Sequence, residues 1–158
     1  DYGHGERVLQ VHRWRPHVPT VRPQPLIAVK DVEASSRFYQ RLLGVQSGHG
    51  GPEYERLVQR DTIVMQLHRL EEEHHHGAIG DPRQTVHGNG VLLCFEIDDF
   101  DAAMERLALL GAEIVLPKHR NPPGGKGGPN HWECWLKDPD SYVVVLASPD
   151  GSAGPQAL

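Results

Sequence analysis

The pattern of hydrophobic and polar positions in this chain occurs twice. In the first half, a segment with helical spacing of apolar residues opens at Asp31 and closes at Gly44. In the second half, a similar segment opens at Asp99 and closes at Gly111, about 68 residues further on. An apolar, strand-like run precedes each segment, and more strand-like sequence follows it. Self-similarity of this kind is the signature of a repeated structural unit. It predicts a pseudo-twofold domain with a binding cleft where its halves face each other.

Each half is predicted to fold as one strand, one helix and three strands. Asp31 is a good N-cap for the first helix, and Asp98 or Asp99 is one for the second. Gly44 and Gly111 are good C-caps. Residues 117–130 hold four prolines and four glycines, which predicts a loop. The predicted strands are 24–30, a faint strand at 45–49, 54–59 and 62–68 in the first half, and 91–97, 113–116, 131–136 and 142–147 in the second half. The fold class is therefore α+β, with paired βαβββ modules forming a curved mixed sheet around a cleft and the helices outside.

The composition divides the chain into an arm, a domain and a tail. Residues 1–23 mix arginines with prolines and form a predicted N-terminal arm, and residues 151–158 form a predicted disordered tail. Residues 24–150 form the domain, with modules at about 24–70 and 89–148. The linker between the modules contains His74–His76, a tract typical of metal binding; beside three glutamates, a solvated polar loop is the alternative.

Charge and cysteine usage exclude several classes of function. The chain of 158 residues has a net charge of -5 with neutral histidines, which argues against a nucleic-acid partner. No apolar run approaches the roughly 20 residues that cross a membrane, and the N-terminus has no signal-peptide pattern. Cys94 and Cys134 both lie in strand-like sequence, and two reduced core thiols indicate a cytoplasmic protein.

Three motifs resemble the vicinal oxygen chelate superfamily, which includes glyoxalase I, bleomycin-resistance proteins, extradiol dioxygenases and fosfomycin-resistance enzymes. The motifs are Val29–Ser35, Phe95–Ala103 and Trp135–Tyr142, and Ser141 stands where the closing motif of the family usually has glycine. The resemblance covers about residues 24 to 148. It implies the paired-module fold and a homodimer, and it does not specify an activity.

The resemblance also implies where a metal site would lie. Metal-using members place His or Gln, Glu, His and Glu on four cleft strands, and these positions fall on Gln24, Gln66, Leu92 and Val145. Leucine and valine have no donor atoms, and glutamine offers only a neutral amide oxygen. A shift of one residue in the third or fourth strand supplies no ligand either. We therefore predict no metal or other cofactor and metal-independent binding of a small organic molecule, as in the sequestering proteins of the bleomycin-resistance type.

The alternation of His131, Glu133 and Trp135 places these side chains on one face of a strand. Such a group could do acid–base work, orient a ligand or stack on a cationic group, and ordinary cross-strand pairing is the alternative. His68 and Tyr142 are expected to close the same end of the cleft. No catalytic residue is assigned, and the predicted ligand-binding residues are Gln24, Gln66, His68, Leu92, His131, Glu133, Trp135, Tyr142 and Val145.

Two other functions remain open at this point. One is a metal-dependent lyase, isomerase or dioxygenase with one divalent transition metal at a non-standard site built from His68, His131 and Glu133. The other is a folded relic or assembly subunit that binds no ligand.

Overall fold

The structure is a computed structural model that describes residues 23–70, 80–125 and 129–154. The predictions for the N-terminal arm and for His74–His76 lie outside the described residues. The elements, in chain order, are β1 (Leu26–Val29), α1 (Val32–Leu43), β2 (Gln46–Ser47), β3 (Tyr54–Gln59), β4 (Thr62–Arg69), β5 (Leu92–Glu96), α2 (Phe100–Leu110), β6 (Ile114–Asn121), β7 (His131–Lys137) and β8 (Val143–Ala147). The α+β class and the repeated βαβββ order are confirmed.

Both helices begin and end where the sequence predicts, and Asp99 rather than Asp98 is the N-cap of α2. The Asp31 carboxylate accepts a hydrogen bond from the Ala34 N–H at 2.9 Å, and the Asp99 carboxylate accepts one from the Ala102 N–H at 3.1 Å. Each helix ends at a glycine in the left-handed region, with φ of 69° at Gly44 and 63° at its counterpart in the second module. The caps satisfy N–H groups that would otherwise lack partners.

The strands form two four-stranded mixed sheets, in the orders β1-β4-β3-β2 and β5-β8-β7-β6, and the sheets are not closed into one. In each module the first and last strands pair in parallel, and the other pairs are antiparallel. The parallel pairs share one register, because Leu26 lies opposite Gln66 and Cys94 lies opposite Val145. The internal repeat therefore extends to single residue positions.

The helices cover one face of each sheet. Along β4, Met65 and Leu67 are fully buried, and along β8, Val144 and Leu146 are fully buried. These residues pack in one core cluster with apolar residues of both helices, among them Leu42, Phe100 and Leu107. We call the opposite face of each sheet the cleft face.

The two modules contact each other within one chain. The Tyr142 hydroxyl donates to the Ala28 carbonyl at 2.9 Å, and the Lys30 N–H donates to Asp140 Oδ1 at 2.9 Å. Both contacts join the loop before β8 to the end of β1. The closing motif of the second module thus fixes the first module in place.

Strand β6 is longer than the sequence predicts. The sequence predicts a loop from residue 117, whereas the strand continues to Asn121 and pairs with β7. Pro117 is tolerated because β6 is an edge strand whose register shifts between Leu116 and His119. A local run of prolines and glycines cannot reveal a partner strand that lies further along the chain.

Residues 151–154 form a hydrogen-bonded turn, although the sequence predicts disorder from residue 151. The Gly151 N–H donates to the Pro129 carbonyl at 2.8 Å, and the Asn130 side chain donates to the Gly154 carbonyl at 2.9 Å. These contacts are made with the segment before β7, which is distant in sequence. Within the described ranges, no helix is long and apolar enough to cross a bilayer.

Candidate functional site

A buried carboxylate organises the cleft face of the second sheet. Glu133 Oε1 accepts hydrogen bonds from Asn121 Nδ2 at 2.7 Å and from His131 Nε2 at 2.8 Å. Glu133 Oε2 accepts a hydrogen bond from the Trp135 indole N–H at 2.9 Å. We call Asn121, His131, Glu133 and Trp135 the Glu133 cluster. Its members come from the antiparallel pair of β6 and β7, where Asn121 lies opposite His131.

The hydrogen bonds keep Glu133 ionised although it is buried. Burial by itself raises the pKa of the carboxyl group, but the donors on Asn121, Trp135 and His131 outweigh this effect and lower the pKa of Glu133 to about 2. Only 8% of the residue is exposed. The cleft face therefore holds a permanent negative charge whose acceptor positions are largely used by the protein itself.

The Glu133 contact also decides which nitrogen of His131 is the donor. An ionised carboxylate only accepts hydrogen bonds, so His131 Nε2 carries the proton of that bond. His131 Nδ1 lies 3.3 Å from Asp150 Oδ1, and among the described residues it has no hydrogen-bond partner. The arrangement holds the imidazole in one orientation between the carboxylates of Glu133 and Asp150.

Polarity changes along the cleft face of the second sheet. At one end, Glu96 is next to Ala147, and Ala147 is next to Glu133. At the other end, Leu92 lies opposite Val143, and Leu92 is 45% exposed. Lys137 is next to Val143 and borders this apolar strip. A surface with an acidic end and an apolar strip fits an organic molecule of mixed polarity.

The four positions that the resemblance assigns to a metal do not fit one. Leu92 and Val145 carry no donor atom, and the side chain of Val145 is buried in the sheet. Both ends of the Gln66 amide are used, since Oε1 accepts from the Tyr54 hydroxyl at 2.5 Å and Nε2 donates to the Gln24 carbonyl at 3.1 Å. Gln24 precedes β1 and is exposed. Hydrocarbon at two positions and an amide already bonded at a third leave no ligand set for a divalent ion.

His68 and Tyr142 lie apart from the Glu133 cluster. His68 is buried in the first module, where its Nδ1 lies 2.8 Å from the Arg69 carbonyl and its ring is tilted against that of Tyr54. Tyr142 directly precedes β8, at the end of that strand that is distant from the Glu133 cluster. Its ring stacks on the ring of His87. Of the predicted site residues, the structure brings together His131, Glu133 and Trp135, with Val145 opposite Trp135 on the neighbouring strand. It joins Gln24 and Gln66 separately, in the first module.

The sequence did not predict one member of the cluster, Asn121, or two residues beside it, His119 and Asp150. His119 Nε2 lies 3.5 Å from Glu133 Oε2. His119 and Asn121 fall in the segment predicted as a loop, and Asp150 ends the predicted domain. The sequence did contain a signal for His119 and Asn121: they are two residues apart, which places both side chains on one face if the segment is a strand.

In the described part of the chain, no group of three or more His, Cys, Asp or Glu residues is arranged to hold a metal ion. Glu133 accepts hydrogen bonds from Asn121, His131 and Trp135, and these donors would have to be displaced before it could act as a ligand.

Comparisons with known proteins agree with this fold. The model of the Glyoxalase/Bleomycin resistance protein/Dioxygenase superfamily matches residues 20–146. The chain therefore belongs to this superfamily, as the sequence motifs predicted. No curated protein sequence gives a significant match.

Several solved structures share the fold at low sequence identity. A protein of unknown function from Agrobacterium tumefaciens is 20% identical, with a TM-score of 0.63, over 84% of this chain and 97% of that chain. A lactoylglutathione lyase from Agrobacterium tumefaciens is 17% identical, with a TM-score of 0.60, over 85% and 96%. The integron cassette protein VCH_CASS1 of V. Cholerae is 19% identical, with a TM-score of 0.56, over 84% and 98%. At sequence identities this low, the structural similarity establishes the fold and does not assign an activity.

Proposed function

We propose that this protein binds a small organic molecule on the cleft face of the second sheet and does so without a metal. The observation that carries the proposal is that the polar groups of the cleft already bond to one another and are not free to bind a metal ion. Hydrocarbon side chains stand at two metal positions, Leu92 and Val145, and the Glu133 carboxylate is held by three protein donors. A site of this kind recognises a ligand by shape, apolar contact and a fixed charge.

Trp135 is the side chain best placed to contact such a ligand. Its indole N–H is fixed by Glu133 at 2.9 Å, and the residue remains only partly buried on the cleft face. A ring held in one orientation loses little conformational freedom on binding, and it offers a flat surface for stacking. The negative charge of Glu133 beside it favours ligands that carry a positive charge.

Equilibrium dialysis of metal-stripped protein against a panel of aromatic and cationic drugs tests the proposal. We expect a compound to be retained with chelator present and to be recovered chemically unchanged. Trp135→Leu should weaken retention at least about tenfold, because an anchoring aromatic contact is lost. Binding that vanishes with the chelator, or a recovered compound that has been altered, would contradict the proposal.

Trp132 supplies a matched control on the same strand. It lies three residues from Trp135, on the helix side, where Lys118 Nζ stands 5.1 Å from its ring. Trp132→Leu removes the same side chain from the opposite face and should leave retention unchanged. Equal losses in both variants would mean that general destabilisation explains the effect.

The alternative function is a metal-dependent lyase, isomerase or dioxygenase. It is favoured by the two imidazoles of His119 and His131 beside the Glu133 carboxylate and by the structural likeness to a lactoylglutathione lyase. The sequence suggested His68, His131 and Glu133 as ligands, whereas the structure places His119 rather than His68 beside Glu133. The side chains of His119, His131 and Glu133 would have to rearrange to hold a metal ion, because among the described residues no such group is arranged to do so. Elemental analysis separates the two functions: stoichiometric Zn, Fe, Ni or Mn that is lost in His131→Ala would favour the enzyme. A variant with His74–His76 replaced by glutamine controls for metal bound by that tract.

We also propose a cytoplasmic homodimer. Cys94 and Cys134 are free thiols, as suits a reducing compartment. The edge strand β6 exposes a run of apolar side chains, with Ile114, Val115 and Leu116 each 40–43% exposed, and a second copy of the chain would cover it. Light scattering on the wild type and on Val115→Lys tests the dimer, which the variant should weaken; a monomeric wild type would refute it.

A further inference from the structure

The internal repeat gives two equivalent junctions between the modules, one at the free edge of β1 and one at the free edge of β5. A side chain of the other module fills the first of them. At the first junction, the edge of β1 receives Tyr142, which is 9% exposed and whose hydroxyl donates to the Ala28 carbonyl at 2.9 Å. The ring of His87 stacks on Tyr142 with centroids 5.9 Å apart. An aromatic side chain with a hydroxyl group thus closes this junction.

Because the parallel strand pairs share one register, each residue at the first junction has an equivalent residue at the second. Since Leu26–Gln66 and Cys94–Val145 are equivalent pairs, Ala28 corresponds to Glu96 and Tyr142 corresponds to Ile63. At the second junction, therefore, the described part of the chain supplies no phenol at the position equivalent to Tyr142. Its hairpin turn joins β3 directly to β4 at Arg60 and Asp61, which leaves no loop to fill the space.

A cavity of about 460 Å³ occupies the second junction. Its walls come from both modules and include Val45 and Val64 of the first and Cys94, Phe95 and Ile97 of the second. The cavity is large enough for a small aromatic molecule, and its walls offer the apolar contact that an aromatic ring needs.

The backbone of β5 presents an acceptor to this cavity. The Ile97 N–H donates to the Ala147 carbonyl of β8 at 2.7 Å, so the polar groups of Ile97 point toward β8. Because alternate residues of a strand direct their carbonyls to opposite sides, the Glu96 carbonyl points toward the free edge of β5. Its counterpart at the first junction is the Ala28 carbonyl, which accepts the Tyr142 hydroxyl.

The rim of the cavity is acidic. Glu96, Asp98 and Asp99 line it together with one cation, Arg106. The Arg106 Nε–H donates to the Leu42 carbonyl at 3.0 Å, which draws the guanidinium to the C-terminal end of α1. Three carboxylates against one engaged cation favour an occupant with a positive charge.

We propose that the second junction is a binding site for a small phenol that carries a basic amine. The phenol ring takes the place that Tyr142 occupies at the first junction, its hydroxyl donates to the Glu96 carbonyl, and its ammonium group meets the acidic rim. This site borders the one on the Glu133 cluster, because Glu96 is next to Ala147 and Ala147 is next to Glu133. The inference does not depend on the proposed function.

Cys94 serves as a reporter, because it lines the cavity and is exposed, whereas Cys134 is buried. The probe is tyramine, with p-cresol and 4-hydroxyphenylacetate as matched compounds that lack the charge or reverse it. We expect tyramine to slow alkylation of Cys94 at least about threefold, with half-saturation on the order of 1 mM for a ligand of this size. p-Cresol should protect more weakly, and 4-hydroxyphenylacetate should not protect.

Two variants that act differently keep the test decisive. Val64→Phe fills the cavity and should abolish protection, whereas Val143→Phe, the same change at the repeat-equivalent position, should retain it. The double variant Glu96→Gln/Asp98→Asn changes only exposed side chains and should reduce the advantage of tyramine over p-cresol.

Other results would overturn the proposal. Protection of Cys94 that is lost in Trp135→Leu and kept in Val64→Phe would place tyramine on the Glu133 cluster instead. Equal protection by the cationic and anionic compounds would remove the role of the rim. If alkylation of the free protein slows as protein concentration rises, a second copy of the chain covers the cavity and the ligand site is refuted.

Discussion

Substitution of Glu133 by glutamine gives the sharpest test of the electrostatics at the candidate site. Glutamine has nearly the same shape, but it cannot ionise and its amide N–H₂ would face donors on Asn121, His131 or Trp135. The carboxyl group of Glu133 has its pKa lowered from 4.5 to about 2 in the folded protein. A pKa difference of this size corresponds to about 3 kcal/mol of stabilisation at neutral pH.

The sign of the pH dependence follows from the direction of the pKa change. Because the folded pKa of Glu133 is below the unfolded value, its contribution is complete above about pH 5 and is lost as the pH falls toward 2. Glu133→Gln should therefore lower the free energy of unfolding by about 3 kcal/mol at neutral pH, and the difference from wild type should shrink steadily in acid.

Urea unfolding of the wild type and the variant, from about pH 7 to about pH 2.5, measures this difference directly. Other carboxyl groups, among them Glu55, whose pKa is lowered by its hydrogen bonds, are common to both proteins and cancel in the comparison. Glu113→Gln is the control, because Glu113 forms an exposed ion pair with Lys137 and should contribute less than about 1 kcal/mol. A stability difference for Glu133→Gln that stays constant with pH would refute the account of the Glu133 cluster.

Three further substitutions test the packing that positions the site. Gly88→Ala should lower stability by about 2 kcal/mol in thermal unfolding, because Gly88 has a φ of 61° and an added Cβ would lie 2.6 Å from the Tyr142 ring; an unchanged Tm would contradict this packing. Tyr39→Phe removes the 2.7 Å hydrogen bond to Asp138, a carboxyl group whose pKa is raised by burial. The loss in urea unfolding should be about 1–3 kcal/mol near neutral pH and smaller in acid, where Asp138 is protonated; a larger loss in acid would contradict this assignment. Asp31→Ala should cost about 1 kcal/mol in the same assay through loss of the α1 cap, and no loss would show the cap to be dispensable.

The elements that the sequence predicted well are those whose cause is local. Asp31 and Asp99 cap the helices through side chains that reach three residues along the chain. The alternation of His131, Glu133 and Trp135 correctly predicted one shared face, since a strand places alternate residues on the same side. The superfamily could be predicted for a related reason, because its motifs are short segments at the turns that open and close each module.

The contacts that complete the candidate site are nonlocal, and the sequence did not reveal them. Asn121 joins Glu133 only because β6 continues past Pro117 and pairs with β7. Asp150 comes within 3.3 Å of His131 because the turn at 151–154 is held by the segment before β7. Strand pairing depends on residues that are distant in sequence, so neither contact has a signature in its own segment.

The sequence by itself determined the repeated βαβββ order, the helix boundaries and the hydrocarbon side chains at two of the four metal positions, Leu92 and Val145. These follow from periodicity, capping and the absence of donor atoms, which are properties of the residues themselves. Only the tertiary structure decided that three hydrogen-bond donors stabilise the ionised form of Glu133. It also decided that Tyr142 fills one module junction while the other holds a cavity. Ionisation of a buried group and the filling of space both depend on which distant residues are brought together.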